Sequence, residues 1–298
     1  MNSSTISKTD ANNGYVKMNS WIDGYVNANG IRIHYYRTGG NLPQVVLNHG
    51  AMDDGLCWTR VARELERDYD VIMFDARGHG LSDSGAGDYQ SETRATDLAD
   101  AIGDLGLDNP VVGGHSLGAN VSIYLAAMYP EIPRAIFLED PPIVMPGEPM
   151  FGGEIGEKGD RALKMMAMVM TLIKILPMFL GKIIAKKLMP VSPDEEIIPW
   201  IKSKKRFSFD FLNAMRHSDG TELVLPFDVL KRINVPTLLF MGDREKGSIV
   251  SKEAAQGMAE AIPDFKISHL KGASHDIRRA KFDEYMRALQ SFLTEVYK

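Results

Sequence analysis

Between an apolar run, Pro110-Val111-Val112-Gly113, and a helix-like run from Ala119 to Met128, the chain reads Gly114-His115-Ser116-Leu117-Gly118. That spelling predicts a strand that turns sharply into a helix at a serine. A turn this tight strains the backbone at the serine and presses strand and helix together, so residues without bulk are needed two positions away on each side. The hydroxyl is pushed into the open. The amide of Leu117, first in the new helix, is available to a developing negative charge. Ser116 is therefore the candidate nucleophile and Leu117 a candidate oxyanion donor.

Around this turn, short apolar β-like runs alternate with helical ones along the 298 residues. Gly30 to Arg37, Gln44 to Asn48, Asp70 to Asp75, Arg134 to Leu138, Thr237 to Met241 and Phe265 to Leu270 read as strands. Helices are expected at about Glu92 to Leu105, Ser251 to Ala261 and Ile277 to Val296. Buried strands alternating with helices predict an α/β fold with a mostly parallel sheet covered on both faces. The alternation breaks between Pro141 and about Leu225, where Met165, Met166, Met168, Met170, Met178 and Met189 lie among other apolar residues. The expected organisation is a flexible segment over 1–20, core over 21–140, a helical cap over 141–225 and core again over 226–298. An insert at the carboxyl edge of such a sheet lies where ligands bind. Its methionines predict either a packed cap core or the lining of a roomy apolar pocket.

Charge and cysteine usage narrow the function classes. A net charge of -5 without a dense Lys/Arg block is not the footprint of a nucleic-acid binder. The single Cys57 excludes an internal disulfide framework and reads as a small core residue, which fits a cytoplasmic location. Residues 1–20 lack the apolar stretch of a secretory signal. Lysines beside the apolar positions of the insert would suit a membrane surface, but Pro177 interrupts the helix, and solvated lysines are the simpler reading. No Cys/His cluster shows metal-ligand spacing, and no metal or organic cofactor is expected. The oligomeric state is not legible.

A serine hydroxyl is a weak nucleophile near neutral pH and needs a base within hydrogen-bond reach. His275, in Gly272-Ala273-Ser274-His275-Asp276, stands in the loop after the last strand, on the edge where the serine turn lies. His49-Gly50 closes an earlier strand, and the amide of Ala51 is the candidate second oxyanion donor. His79 reads as a structural residue of its glycine-flanked turn, and His34, His217 and His269 suggest no role.

Four segments, Asn48-His49-Gly50, Asp75-Ala76-Arg77-Gly78-His79-Gly80, Gly114 to Gly118 and Gly272 to His275, together resemble the α/β-hydrolase superfamily in its capped, serine esterase/lipase-like branch. The resemblance implies a Ser–His–acid triad, and its departure from pattern lies in the acid. The family usually carries the acid after the strand corresponding to Thr237 to Met241, three residues beyond a glycine. Here that count reaches Glu245, in a loop longer than usual, with Asp243 earlier. Some relatives place the acid after the preceding strand, where this chain has Glu139-Asp140. Asp243 is the preferred candidate, followed by Glu139, with Glu245 and Asp140 after them. The expected activity is hydrolysis of carboxylic esters or lactones of hydrophobic small molecules through an acyl-enzyme. Carbon–carbon hydrolysis of meta-cleavage products and a ligand receptor on a hydrolase scaffold are the alternatives.

Overall fold

In the computed structural model, residues 21–85, 87–145, 165, 168–189, 192–217 and 227–298 are described, save the side chains of 215–217. The segment read as flexible (1–20), Pro146, Pro149, Lys164, Met166 and the His217 side chain lie outside the described residues.

Eight strands, β1 (Ile22–Ala28), β2 (Ile31–Arg37), β3 (Gln44–Asn48), β4 (Asp70–Phe74), β5 (Val111–His115), β6 (Ala135–Glu139), β7 (Thr237–Met241) and β8 (Phe265–His269), form one sheet. Its order is β1-β2-β4-β3-β5-β6-β7-β8, antiparallel at β1/β2 and β2/β4 and parallel elsewhere. Strands β4 to β7 are buried on both faces, which is why each reads as a short, continuous apolar run. Alternate residues supply the two cores. Val46, Ile72, Val112 and Ile136 face α2 (Ser91–Asp104) and α3 (Leu117–Met128). Val45, Leu47, Met73 and Phe137 face α1 (Thr59–Leu65) and α11 (Phe282–Val296).

Two local features differ from expectation. Strand β1 carries Gly24 and Asn27 and shows no apolar alternation, so pattern alone does not reveal it. The signal was the turn: Asn29 and Gly30, at φ 47° and 77°, form the dipeptide favoured in two-residue hairpins. The final helix divides into α10 (Ile277–Ala280) and α11, because Lys281 leaves helical geometry at φ -134°. Residue 281 thereby sets α10 free to point its arginines inward.

Between β6 and β7 stands a helical insert: 168–175 (α4), α5 (Met178–Leu188), α6 (Asp194–Arg206), α7 (Phe209–His217) and α8 (Phe227–Leu230). Ile173, Ala185, Met189, Ile197, Trp200 and Ile201 form its small core. Of its five described methionine side chains, Met189 belongs to that core and Met170 packs against it. Met165, Met168 and Met178 are exposed, whereas Met189 is buried and Met170 half-buried. Three of these five side chains thus face solvent rather than the insert's core.

Buried charge ties the insert to the sheet. Lys204 of α6 donates to Asp53 Oδ1 at 2.5 Å and to the Met52 carbonyl at 3.0 Å. Arg279 of α10 reaches Asp53 at 3.1 Å and Glu196 of α6 at 3.2 Å. Asp53 is held well below the usual carboxylate range: burial alone would raise it, but Lys204 and Arg279 outweigh that. Beneath this cluster, Arg278 caps the fully buried Glu139 at 2.9 Å and stacks on Trp58 at 4.1 Å. Burial pushes the Glu139 carboxyl up, against the pull of Arg278. Replacing Arg278 by Met strands that carboxylate, and urea unfolding at pH 7 is expected to show a loss of about 3–5 kcal/mol. The loss shrinks as the solution is made acidic, since a protonated Glu139 needs no counter-ion. An unchanged midpoint at pH 7 would show that the pair contributes little.

Candidate active site

Strand β5 passes into α3 through one residue. Ser116 sits at φ 51°, ψ -116°, a strained region for any side chain larger than glycine. Two backbone bonds hold it there: its N–H donates to the Glu139 carbonyl at 2.8 Å, and its carbonyl accepts from Asn120 at 3.0 Å. A Cβ on Gly114 would meet Gly118 backbone at 2.4 Å, and one on Gly118 would meet the Asn48 carbonyl at 2.2 Å. From Val111 to Ala127, Ser116 alone is not buried. The steric demand read from the spelling is therefore physical, and its product is a hydroxyl at the carboxyl edge of the sheet.

His275 lies against His115, the residue before Ser116. The neighbouring His115 donates its Nε2–H to the His275 carbonyl at 3.1 Å, and the two rings stand 4.5 Å apart. His115 is neutral: burial, followed by the charge of His275, holds its pKa well below the ordinary value. His275 Nδ1 donates to Asp140 Oδ2 at 2.7 Å. Burial alone would lower the pKa of His275, but the hydrogen bond and charge of Asp140 outweigh it and the net shift is upward.

The carboxylate on His275 is thus Asp140, not Asp243 or Glu139. Asp140 follows β6 at φ 45° and is fully buried. Besides His275 it accepts from Ser248 Oγ at 2.7 Å, Ile249 N at 2.8 Å and Val250 N at 3.0 Å. The long loop after β7 explains both outcomes. It folds through a short 3-10 turn at Arg244–Lys246 and returns Ser248 to Val250 over β6, so its amides cradle Asp140. Asp243, before that turn, accepts instead from His269 at 2.8 Å and from the Gly272 amide at 2.7 Å. Those two contacts hold its pKa down. They anchor the turn that leads to His275 without touching its ring. Glu139, the last residue of β6, points instead to the sheet face of Phe137 and Trp58, towards Arg278. Glu245 is exposed. The sequence signal for Asp140 was weak: an acidic pair at a strand end, before Pro141.

The loop after β3 closes the other side. A Cβ on Gly50 would lie 2.7 Å from His115 Nδ1 and 3.4 Å from Ser116 Cβ, so the turn into Ala51 lies against the serine. His49 and His79 set its shape. Each donates from Nδ1 to a carbonyl, of Gly50 at 2.8 Å and of Arg77 at 2.9 Å. Each accepts at Nε2, from Ala76 N at 3.0 Å and from Met52 N at 3.1 Å. Burial lowers both pKa values, well below the ordinary value for His79, which keeps these tautomers neutral. His79 thus acts on backbone, as its turn suggested. His34 and His269, for which sequence offered no partner, pair with Asp75 at 3.0 Å and Asp243. Cys57 is buried beside Arg278, and burial pushes its thiol up, which suits a core residue. Over the serine turn, Met52, Tyr89, Leu117, Phe207, Phe211 and Leu212 make an apolar cluster shared by sheet loops and insert.

Known proteins resemble this chain along most of its length. The family model described as "Alpha/beta hydrolase family" matches residues 45–287. N-formylmaleamate deformylase of Pseudomonas putida is 27% identical over 280 residues, covering 91% of this chain and 96% of that protein. The solved structure of E-2-(acetamidomethylene)succinate hydrolase superposes with a TM-score of 0.75 at 22% identity, covering 92% of this chain and 99% of that one. Est816, described as an N-acyl homoserine lactone degrading enzyme, superposes at 0.70 with 21% identity, covering 90% and 100%. With the model spanning strands β4 to β8, the serine turn and the histidine loop alike, the chain belongs to the alpha/beta hydrolase family.

Proposed function

We propose that the protein is a serine hydrolase that cleaves carboxylic esters or lactones of hydrophobic small molecules through an acyl-enzyme. The observation that carries this reading is the 2.7 Å bond from His275 to the buried Asp140, on the same sheet edge as the half-buried Ser116. In the cycle, Ser116 Oγ attacks the substrate carbonyl and His275 Nε2 takes its proton. Asp140 keeps the other ring proton on Nδ1 and stabilises the imidazolium. The amides of Leu117, at the head of α3, and Ala51 receive the oxyanion. His275 then protonates the leaving group, and water, deprotonated by the same imidazole, releases the acid.

The apolar cluster under the insert supports a hydrophobic acyl or alkyl group, with the insert acting as a cap. The deformylase relative supports a second leaving group, the nitrogen of an N-acyl substrate, in the same cycle. Carbon–carbon cleavage gains no support from the relatives described above. A panel of p-nitrophenyl esters of increasing acyl length, several lactones and N-formylmaleamate tests the proposal. Turnover is expected for medium acyl chains, and a folded protein inert towards every acyl substrate would refute it.

Two further outcomes follow from the acid. Asp140→Asn is expected to lower kcat/KM by about 10³–10⁴, whereas Asp243→Asn changes it by about tenfold or less. The reverse ranking would return the role to Asp243. Since His275 must be neutral to act and its pKa is raised, kcat/KM should climb with pH through a midpoint above the ordinary histidine value of 6.5. In any residual activity of the Asp140→Asn variant that midpoint moves down, because the charge that raised it is gone.

A further inference from the structure

Helix α5 is built inside out. It turns Gly181 and Ala185 inward, where a Cβ on Gly181 would approach Ile201 at 3.1 Å. Its large apolar residues face water: Phe179 is 66% exposed and Ile183 54%. The preceding α4 does the same, burying Ile173 and exposing Met168, Leu172 and Ile175, the last at 68%. Within each helix the exposed apolar residues recur three or four positions apart, which is the spacing of one continuous face. Only Leu176 and Pro177 separate the two helices. A family core would bury such side chains, and leaving them wet is unfavourable in proportion to their area.

The charge of the same stretch is one-sided. From residue 161 to 193 the sequence holds Arg161, Lys164, Lys174, Lys182, Lys186 and Lys187 and no Asp or Glu, in a chain whose net charge is -5. Lys182 and Lys186 pair with Asp194 at 2.7 and 3.1 Å, but these are exposed pairs that a stronger field displaces readily. Lys187 is exposed at the end of α5, and Lys174 turns inward to the carbonyls of Lys205 and Phe207.

We propose that α4 and α5 form a docking surface for an anionic lipid bilayer, with Phe179, Ile183 and Ile175 entering the headgroup region and the lysines of α5 meeting lipid phosphates. This reverses the simpler reading of those lysines as merely solvated. An apolar stripe flanked by cations is the composition of helices that lie in a membrane interface, where lysine stems lie along apolar surface and their heads reach polar groups. No helix among the described residues is long and apolar enough to cross a membrane, so contact is confined to the surface. A second copy of the chain fits less well, since a two-fold contact sets each cationic face against its own image. The surface is distinct from the serine site and does not depend on its chemistry.

Co-sedimentation of the full chain with vesicles tests this without an activity readout. Vesicles of phosphatidylcholine and phosphatidylglycerol in equal parts should bind the protein at least about tenfold more tightly than phosphatidylcholine alone, and added salt should weaken that binding. Joint replacement Phe179→Ser and Ile183→Ser should lower the affinity by about tenfold or more while the thermal unfolding midpoint is retained. Joint replacement Lys186→Glu and Lys187→Glu should remove the preference for anionic vesicles. Equal affinity for both vesicle types, or binding untouched by either pair of substitutions, overturns the proposal. So does failure to bind any vesicle. A concentration-dependent dimer in light scattering, abolished by the serine pair, would assign the face to a second copy instead.

Discussion

The structure depends on one steric constraint: β5 and α3 are joined through a single residue, with no room for a side chain at Gly114 or Gly118. Held at φ 51°, Ser116 cannot fold its side chain back into the core, and every neighbour from Val111 to Ala127 is buried while it is not. The same junction places the head of α3 beneath the hydroxyl. It also makes His115 the link to the His275 loop, through a carbonyl rather than a side chain. Strain at this one position is tolerated because the strands on either side are locked in parallel ladders.

What surrounds the junction is organised by charge buried at the sheet's carboxyl edge. Glu139 and Asp140 are consecutive and go to opposite ends of the machinery. One neutralises Arg278 below the sheet edge, and the other faces His275 above it. Asp53 fastens α6 of the insert to the loop after β3, through Lys204, and to α10, through Arg279. Because Lys204 also donates to the Met52 carbonyl, the seating of the insert and the shape of the Ala51 turn are mechanically joined. Removing one partner of such a cluster leaves an uncompensated buried charge, so these contacts stand or fall together.

The legible parts of the sequence were those governed by local physics. Backbone crowding dictated the Gly114-Ser116-Gly118 spelling, and burial on two faces dictated the apolar runs of β4 to β7. A loop after the last parallel strand comes to the carboxyl edge of the sheet, where His275 meets His115 and Asp140. The carboxylate that pairs with His275 was not legible, because four carboxylates stand at strand ends there. The choice among them rests on how residues 242–250 fold back, which places three donors on Asp140 and leaves Asp243 to His269. The methionines misled for a related reason. Composition says that a segment is apolar, but which face of α4 and α5 meets the protein depends on Gly181 and Ala185 packing against α6. Strand β1 escaped notice because its pairing follows from the Asn29-Gly30 turn rather than from its own side chains.

The most direct test of the central claim is to trap the nucleophile. Incubation with a fluorophosphonate followed by peptide mass spectrometry should yield one adduct, on Ser116, that does not form in His275→Ala protein. A folded protein that stays unmodified, or an adduct on any other residue, would contradict the account.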